Sequence, residues 1–367
     1  MSSMERVKMK LINLCNNNKS GIYGICASSC KKEDDYPMYL RITDISDDGK
    51  ILMPLPTCLN PHIYKDWEKY VLKKDDIVFA RTGNSTGRNY YFDGNETMVY
   101  GGYLIKFSLD SAKVNPKYVS YFCQSKEYWR QIRSFFVGST RPSMNAELFR
   151  QLDIPIVSPE LQRHIVDIIG SVDDLIEIEQ LKADKLNSFG QSYYDELFAR
   201  NELIKPGKEI KFIKGKQPMF DDGCDAKPYL TIDALSSGNI SQRATSGIKC
   251  TKNNLLMVMD GASSGKLFLG CDGYVGSTLA IVSCPKIETP ILYFGLKKFQ
   301  NEIMSHTTGS AIPHADKNCV GEMLFANITL ESQSLLFNRI IQTLSNYRER
   351  IRLLKKLKNT LLRKYFQ

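Results

Sequence analysis

The sequence has little that would mark an exported or membrane protein. No stretch approaches the run of about 18 apolar residues that a membrane span needs. The opening segment, MSSMERVKMKLINLC, contains no uninterrupted apolar core of signal-peptide length. The ten cysteines are scattered from Cys15 to Cys319 without a dense framework, so we expect reduced thiols rather than disulfides. These absences predict a cytoplasmic protein.

Motifs for phosphate binding or metal binding are missing as well. The segment Gly261–Lys266 has a lysine after a glycine, but a phosphate-binding loop needs a glycine where Asp260 stands and a Ser or Thr where Leu267 stands. The four histidines are dispersed, and Cys26 and Cys30 form a lone pair, which gives no zinc-site spacing.

A methyltransferase signature is also absent. Asn60-Pro61-His62 and Asn115-Pro116-Lys117 fall short of the Asn-Pro-Pro-aromatic motif of DNA methyltransferases, and no glycine-rich AdoMet loop precedes them. We therefore expect no catalytic residue, no metal and no cofactor in this chain.

The length and charge of the chain indicate its broad class. With 367 residues, 43% of them apolar and 24% charged, the composition is that of a globular protein with two or three domains. The net charge of +9 favours a polyanionic partner, although many basic proteins bind no nucleic acid.

An internal repeat runs through nearly the whole chain. Four short segments recur in the same order, at an offset that drifts from 190 to 171 residues, as loop insertions in the first copy would cause. The matched segments are Tyr39-Leu40-Arg41-Ile42 with Tyr229-Leu230-Thr231-Ile232, Gly83–Arg88 with Gly261–Lys266, Gly138-Ser139-Thr140-Arg141-Pro142 with Gly309-Ser310-Ala311-Ile312-Pro313, and Glu160-Leu161-Gln162 with Glu331-Ser332-Gln333.

Each copy ends in a stretch with the heptad spacing of a long helix. Residues 159–200 carry an apolar seam through Ile165, Ile168, Val172, Leu175, Leu186, Phe189 and Tyr193, with the polar pair Glu179 and Lys182 in its middle. Residues 331–367 carry a second seam through Phe337, Ile340, Leu344, Tyr347, Ile351, Leu354, Leu361 and Tyr365, interrupted only by Lys358.

Charge separates the two helices. Residues 159–200 hold nine acidic against four basic residues, a net charge of −5, whereas residues 331–367 hold nine basic against two acidic, a net charge of +7. Opposite charges favour pairing of the two helices with each other. Part of the positive charge therefore belongs to the second helix, where a solvated or paired face is the simpler explanation than DNA contact.

These patterns predict an α+β fold with a pseudo-two-fold repeat. Two strand-rich α/β domains, residues 1–158 and 201–330, are expected to be joined by two long antiparallel coiled-coil helices, residues 159–200 and 331–367.

This organisation resembles the specificity subunit of type I restriction-modification systems, which has two target-recognition domains, each followed by a conserved helix. The resemblance spans essentially all of the chain. It rests on the duplicated Gly-Ser-x-x-Pro segments, the strand and Glu-x-Gln helix opening after each, and Asp195-Glu196-Leu197-Phe198. This sequence departs from the family in having Leu330 in place of the usual proline before the second helix, and in separating the family's adjacent Glu and Gln by one residue.

The resemblance implies a non-catalytic subunit that reads double-stranded DNA. Each recognition domain would read one half of a bipartite target, with the helix pair as a spacer between the halves. The implied partners are two modification (methyltransferase) subunits and the restriction motor-nuclease subunits, which would carry AdoMet, ATP and Mg²⁺. Half-sites on one face of B-DNA lie about 34 Å apart, a span that long helices can cover.

Candidate DNA contacts lie in the repeated glycine-containing segments. The predicted contacts are Arg81, Thr82, Asn84, Ser85, Thr86, Arg88, Thr140 and Arg141 in the first copy, and Ser263, Ser264, Lys266, Ser310 and His314 in the second. Cations suit phosphates, and small polar side chains suit base edges or backbone. The alternatives are ordinary glycine turns for the two loops, and packing near the helix start for the segments around residues 140 and 310.

Two further alternatives stay open. Tyr90, Tyr91, Tyr100 and Tyr103 lie at strand spacing, where aromatic residues either pack in a core or contact sugars. The whole chain also fits a scaffold that binds no DNA, with coiled-coil arms that join proteins.

Overall fold

The computed structural model describes residues 6–51, 55, 57–94, 96–136, 142–221, 223–238, 240–309 and 313–367, with the side chains of residues 17–19 left out. The chain divides into two compact units. The first comprises the residues up to Asp174 together with Lys356–Gln367, and the second comprises Leu175–Lys355.

The first unit consists mainly of short strands. Its elements are β1 (Val7–Lys10), β2 (Cys15–Tyr23), β3 (Cys30–Lys31), β4 (Met38–Leu40), β5 (Thr57–Cys58), β6 (Asp76–Ala80), β7 (Asn89–Tyr91), β8 (Met98–Tyr100), β9 (Leu104–Leu109), α1 (Pro116–Phe122), α2 (Lys126–Ser134), α3 (Ala146–Arg150) and β10 (Asp153–Ile156). One sheet has the order β2-β9-β6-β7, a second has the order β3-β5-β4-β8, and β1 pairs with β10.

A long helix, α4 (Pro159–Arg200), follows β10 and continues into the second unit. The second unit then adds β11 (Leu203–Ile204), β12 (Lys211–Lys214), β13 (Lys227–Leu230), α5 (Ile232–Ser237), β14 (Arg243–Ala244), β15 (Lys249–Cys250), β16 (Leu255–Val258), β17 (Leu267–Leu269), β18 (Gly273–Val275), β19 (Leu279–Ser283), α6 (Thr289–Lys298), α7 (Gln300–Ser305), β20 (Thr307–Thr308), β21 (His314–Ala315), α8 (Lys317–Glu322), β22 (Phe325–Ala326) and the long helix α9 (Glu331–Phe366).

The second unit repeats the sheet topology of the first. Its sheet β12-β19-β16-β17 corresponds to β2-β9-β6-β7, and the pair β11-β22 corresponds to β1-β10. The other sheet, β3-β5-β4-β8 in the first unit and β14-β13-β18-β15 in the second, contains one parallel pair of strands. In these pairs Leu40 lies opposite Tyr100, and Leu230 lies opposite Val275. The repeat predicted from the four segments is therefore a repeat of the fold.

The start of α4 follows from its local sequence. The Ser158 hydroxyl accepts a hydrogen bond from the Leu161 amide at 3.3 Å, and Pro159 occupies the first helical position, where its missing N–H costs nothing. The Gln162 side chain is buried; it donates to the Val157 carbonyl and accepts from the Asn115 amide. The Gln of the helix opening thus fixes the helix to the unit that precedes it.

Both long helices complete the cores of the compact units. In the first unit the ring of Phe366, from the end of α9, is 2% exposed and lies 5.1 Å from that of Tyr118. In the second unit Phe337 is fully buried against Phe294, at 5.5 Å, and against Tyr194. Each such ring contributes on the order of 2 kcal/mol by burial. The predicted domains 1–158 and 201–330 omit the helices, whereas each compact unit includes part of both.

The two helices contact each other within each unit through residues that lie on the predicted seams or next to them. In the second unit a carboxylate oxygen of Glu179 lies 3.5 Å from a guanidinium nitrogen of Arg350, and the ring centre of Tyr193 lies 5.5 Å from that of Phe337. Residue numbers rise along α4 as they fall along α9, so the paired segments are antiparallel. In the first unit the Lys358 ammonium lies 2.7 Å from a carboxylate oxygen of Asp173.

One half of the predicted α4 seam is wrong by one residue. Ile165, Val172 and Glu179 are buried as expected, but Leu175 and Phe189 are 48% and 52% exposed. The buried positions are instead those that follow, Ile176 and Gly190 among them. A Cβ on Gly190 would lie 2.4 Å from the Phe294 ring, so close packing against the globular part of the unit rotates the buried face of the helix.

The fold class is confirmed: the protein is a mixed helix and strand structure, with two strand-rich units and a long helix suited to a coiled-coil linker. No helix among the described residues is long and apolar enough to cross a membrane.

Candidate nucleic-acid interface

A glycine-rich loop follows the buried strand β6 of the first unit and leads into β7. It runs from Arg81 to Arg88 and contains a 3-10 turn over Gly83–Ser85. Gly87 has a φ of 91°, and a Cβ there would lie 2.8 Å from the side chain of Ile132 in α2. The loop can therefore approach α2 this closely only with glycine at that position.

The buried hydroxyl of Thr86 holds this loop in place. Thr86 is 5% exposed, and its Oγ1 lies 2.7 Å from the Gly83 carbonyl and 3.1 Å from the Pro142 carbonyl. The Gly83 amide also donates to the Pro142 carbonyl at 2.9 Å, and an antiparallel bridge pairs Thr82 with Ser143. The loop is thus attached to a segment about 55 residues further along the chain.

The second unit has the same arrangement between β16 and β17. Ser264 is 2% exposed, and its hydroxyl lies 2.7 Å from the Gly261 carbonyl and 2.9 Å from the Pro313 carbonyl. The Gly261 amide donates to the Pro313 carbonyl at 2.9 Å. In both units, then, the fold brings together the glycine loop, which is the second repeated segment, and the proline of the third.

The other predicted residues of the first loop differ in how accessible they are. Asn84 is exposed, whereas Thr82 and Ser85 are partly exposed. The Arg88 Nε donates to the carboxylate of Asp47 at 2.6 Å. The charge of Arg88 is therefore compensated within the unit, and its guanidinium is held against the protein.

Arg81 has different surroundings. Its guanidinium carbon lies 5.2 Å from the ring centre of Tyr23 and 5.8 Å from that of Tyr103, and its Nε donates to the Gly102 carbonyl at 3.2 Å. The two rings are 41% and 61% exposed. Cation–π contacts of this kind orient a guanidinium without neutralising it. The sequence did not point to Tyr23, which lies 58 residues before Arg81 in another strand.

The positive charge of the second loop lies on its last residue, Lys266. The Lys266 ammonium lies 5.2 Å from the ring centre of Phe268 and is partly exposed, as is Ser263. At the start of the loop an antiparallel bridge pairs Asp260 with His314, whose side chain is exposed.

Asp260 is the centre of a small ionic cluster. One carboxylate oxygen lies 2.7 Å from Nδ1 of His314, and the other lies 2.7 Å from Nζ of Lys214. Burial alone would raise the pKa of Asp260, but the hydrogen bonds from Lys214 and His314 outweigh it and hold the pKa below its usual value. Lys214, like Asp47 in the first unit, gave no signal in the sequence because its partner is distant in the chain.

Three predicted contacts, Thr140, Arg141 and Ser310, lie outside the described residues. The tyrosines also separate by exposure. Tyr100 is fully buried in the core, Tyr90 and Tyr91 are partly buried, and Tyr103 is well exposed. The DNA contacts of the accessible residues stay predictions. Within the described part of the chain no group of His, Cys, Asp and Glu side chains is placed to hold a metal ion.

Comparison with known proteins identifies this repeated architecture. The family model described as "Type I restriction modification DNA specificity domain" matches residues 14–188, which contain the first loop and most of α4. Residues 14–188 are thus similar to the specificity subunits of type I restriction-modification systems. The resemblance inferred from the sequence is thereby confirmed.

Two proteins illustrate the similarity, one in sequence and one in fold. The type I restriction enzyme MjaVIII specificity subunit of Methanocaldococcus jannaschii is 29% identical over 179 residues, which cover 45% of this chain and 41% of that protein. The match therefore spans less than half the length of that relative. The crystal structure of the type I restriction-modification system S subunit from M. genitalium is 16% identical, covers 100% of this chain and 97% of its own, and has a TM-score of 0.58. This second similarity concerns the fold.

Proposed function

We propose that this chain is a specificity subunit that binds double-stranded DNA without performing chemistry, and that each compact unit reads one half of a bipartite target. The observation that carries the proposal is the repeated loop: in both units, a small buried hydroxyl and a proline carbonyl hold a glycine loop that presents a cation, Arg81 or Lys266. A cation on a preformed loop is suited to a phosphate or a base edge.

The two copies differ in sequence while sharing their loop framework. Where the first loop begins with Arg81 and Thr82, the second begins with Met259 and Asp260. Different side chains on the same framework would read different bases, so the expected target is asymmetric, with two unlike halves.

The long helices are proposed to set the spacing between the halves. A helix rises 1.5 Å per residue, so the 42 residues of α4 extend about 63 Å and the 36 residues of α9 about 54 Å. Removing the same number of heptads from both helices should alter the spacer of the target and leave the half-site sequences unchanged. An unchanged spacer would contradict this role.

Recruitment of partners completes the proposal. Two modification subunits would bind this chain, carry AdoMet, extrude the target adenine from the duplex and methylate it. Restriction subunits would supply ATP- and Mg²⁺-dependent cleavage.

A selection experiment tests DNA reading directly. The subunit is combined with its modification subunit and equilibrated with duplexes that contain a randomised region, and the bound duplexes are sequenced. We expect two short conserved blocks separated by a fixed number of unconserved base pairs. Enrichment of no sequence, or of a single continuous block, would contradict the proposal.

A further inference from the structure

The frameworks of the two units allow a residue-by-residue comparison around the loops. The amide of Arg81 donates to the Tyr103 carbonyl, and the amide of Met259 donates to the Thr278 carbonyl. Likewise, the amide of Gly24, which follows Tyr23, donates to the Leu104 carbonyl, and the amide of Gly215, which follows Lys214, donates to the Leu279 carbonyl. Positions 23, 81 and 103 of the first unit thus correspond to 214, 259 and 278 of the second.

The other end of each loop corresponds in the same way. The Arg88 carbonyl accepts from the amide of Ala80, and the Lys266 carbonyl accepts from the amide of Val258. Arg88 and Lys266 are therefore equivalent, and any difference between the loops comes from side chains placed on the same backbone.

The uncompensated cation occupies a different end of the loop in each unit. In the first unit Arg88 is paired with Asp47. Arg81 contacts two tyrosine rings and a carbonyl, and among the described residues it takes part in no ion pair. In the second unit the position of Arg81 holds the uncharged Met259, and Lys214 is neutralised by Asp260. Lys266 has an aromatic ring beside it and no ion pair among the described residues.

Arginine and lysine suit different ligands at these positions. The Nε of Arg81 donates to the Gly102 carbonyl, and no described residue accepts a hydrogen bond from its two terminal nitrogens. These nitrogens form a planar pair of donors that the rings of Tyr23 and Tyr103 hold in orientation. A fixed planar pair matches O6 and N7 of guanine in the major groove, which is the commonest specific contact of arginine. Lysine is a point charge on a flexible stem, which suits a phosphate oxygen.

We propose that Arg81, positioned by Tyr23 and Tyr103, is the specificity-determining residue of the first unit and recognises a guanine in one half-site. The second unit lacks this contact, and its loop binds a backbone phosphate through Lys266. This inference rests on the proposed function, because it assumes that the loops face DNA.

The test measures base preference position by position. The full-length subunit in complex with its modification subunit is offered its own target duplex and every single-base-pair variant of that target. For Arg81→Ala and Arg81→Lys we expect the preference for one G·C pair in one half-site to fall about 10- to 100-fold, with the other half-site unchanged. Arg81→Lys keeps the positive charge. A loss of preference in this variant would therefore show that the planar pair of donors, and not the charge alone, recognises the base.

Matched variants sharpen the test. Tyr103→Phe keeps the ring and should retain the preference, whereas Tyr103→Ala should lose part of it at the same base pair. Lys266→Ala should weaken binding to all the duplexes by a similar factor and make the salt dependence shallower, with every base preference retained.

The possible failures are distinguishable. If the wild-type complex shows base preferences and both Arg81 variants retain all of them, Arg81 is not the reader and the proposed function is unaffected. If Lys266→Ala changes a base preference, the assignment of phosphate binding to the second loop is wrong. If the wild-type complex prefers no sequence, the proposed function and this inference are both wrong.

Discussion

The buried ion pair between the two long helices in the first unit allows a quantitative prediction. Lys358 is 7% exposed, and its ammonium lies 2.7 and 2.9 Å from the two carboxylate oxygens of Asp173. Asp173→Ala would leave this ammonium buried beside the Tyr121 ring, 5.6 Å away, without the carboxylate that it contacts. Breaking a buried pair in this way costs about 3–5 kcal/mol. Because the Asp173 side chain is 19% exposed, we expect the lower value, about 3 kcal/mol.

The companion variants identify the cause. Lys358→Met removes the buried charge and leaves Asp173 with Lys50, 3.8 Å away, as a partner, so it should cost less than Asp173→Ala. The double variant should recover most of the loss, because replacing a buried pair by apolar residues is often neutral. Arg163→Ala breaks a pair whose side chains are 67% and 75% exposed and should cost less than about 1 kcal/mol.

Urea unfolding, followed by a probe in the first unit, measures these differences. If Asp173→Ala unfolds within about 1 kcal/mol of the wild type, or if the double variant is no more stable than Asp173→Ala, a buried ion pair does not hold these helices together.

The pH dependence of the same variant has a definite sign. Burial lowers the pKa of Lys358, and Asp173 opposes this shift. Without Asp173 the pKa falls further below the unfolded value of about 10.4. The unfolded chain then binds more protons than the folded one, so stability rises with pH. The deficit of Asp173→Ala relative to the wild type should therefore shrink between pH 7 and about 10, and a constant deficit would contradict the desolvation argument.

Two further predictions concern packing and the loops. Gly190→Ala would place a Cβ 2.4 Å from the Phe294 ring and should destabilise the second unit by about 1–3 kcal/mol. In the control variant Gly170→Ala, in the same helix, the new Cβ meets only a Tyr121 oxygen at 3.6 Å, so this variant should be neutral or stabilising by up to about 1 kcal/mol. Thermal unfolding of both variants measures the difference, and equal effects would contradict the prediction. Thr86→Val removes the hydroxyl that holds the first loop, at a cost of about 1–2 kcal/mol. The Gly83 amide should therefore exchange its hydrogen about 5- to 30-fold faster in Thr86→Val, whereas Thr86→Ser should keep the wild-type rate. Unchanged exchange in Thr86→Val would show that the hydroxyl does not hold the loop.

Much of the fold is predictable from sequence because it depends on local or repeated signals. The Ser158-Pro159 start of α4 is encoded within a few residues, and the four repeated segments require a duplicated fold. The exact buried face of α4 was not predictable, since Leu175 is no more apolar than its buried neighbour Ile176, and Phe189 is more apolar than the buried Gly190 and yet is exposed. A small residue, Gly190, is buried there because Phe294 approaches the helix backbone, and no pattern within α4 contains that information.

The site is less predictable because its contacts join distant parts of the chain. Lys358 looked like an interruption of the seam, but its partner Asp173 lies 185 residues away. The sequence predicts Thr86 and Ser264 as DNA contacts because small polar side chains between glycines suit base edges or the DNA backbone. In the structure both hydroxyls are buried on backbone carbonyls, whose positions depend on the fold.

The methylome of the host tests the central claim most directly. Adenine methylation is mapped across the genome in the wild type, in a strain without this gene and in the same strain after the gene is restored, all expressing the modification subunit. We predict that one bipartite motif loses its methylation on deletion and regains it on restoration. A methylome that is identical in the three strains would contradict the proposal that this chain directs modification to a DNA sequence.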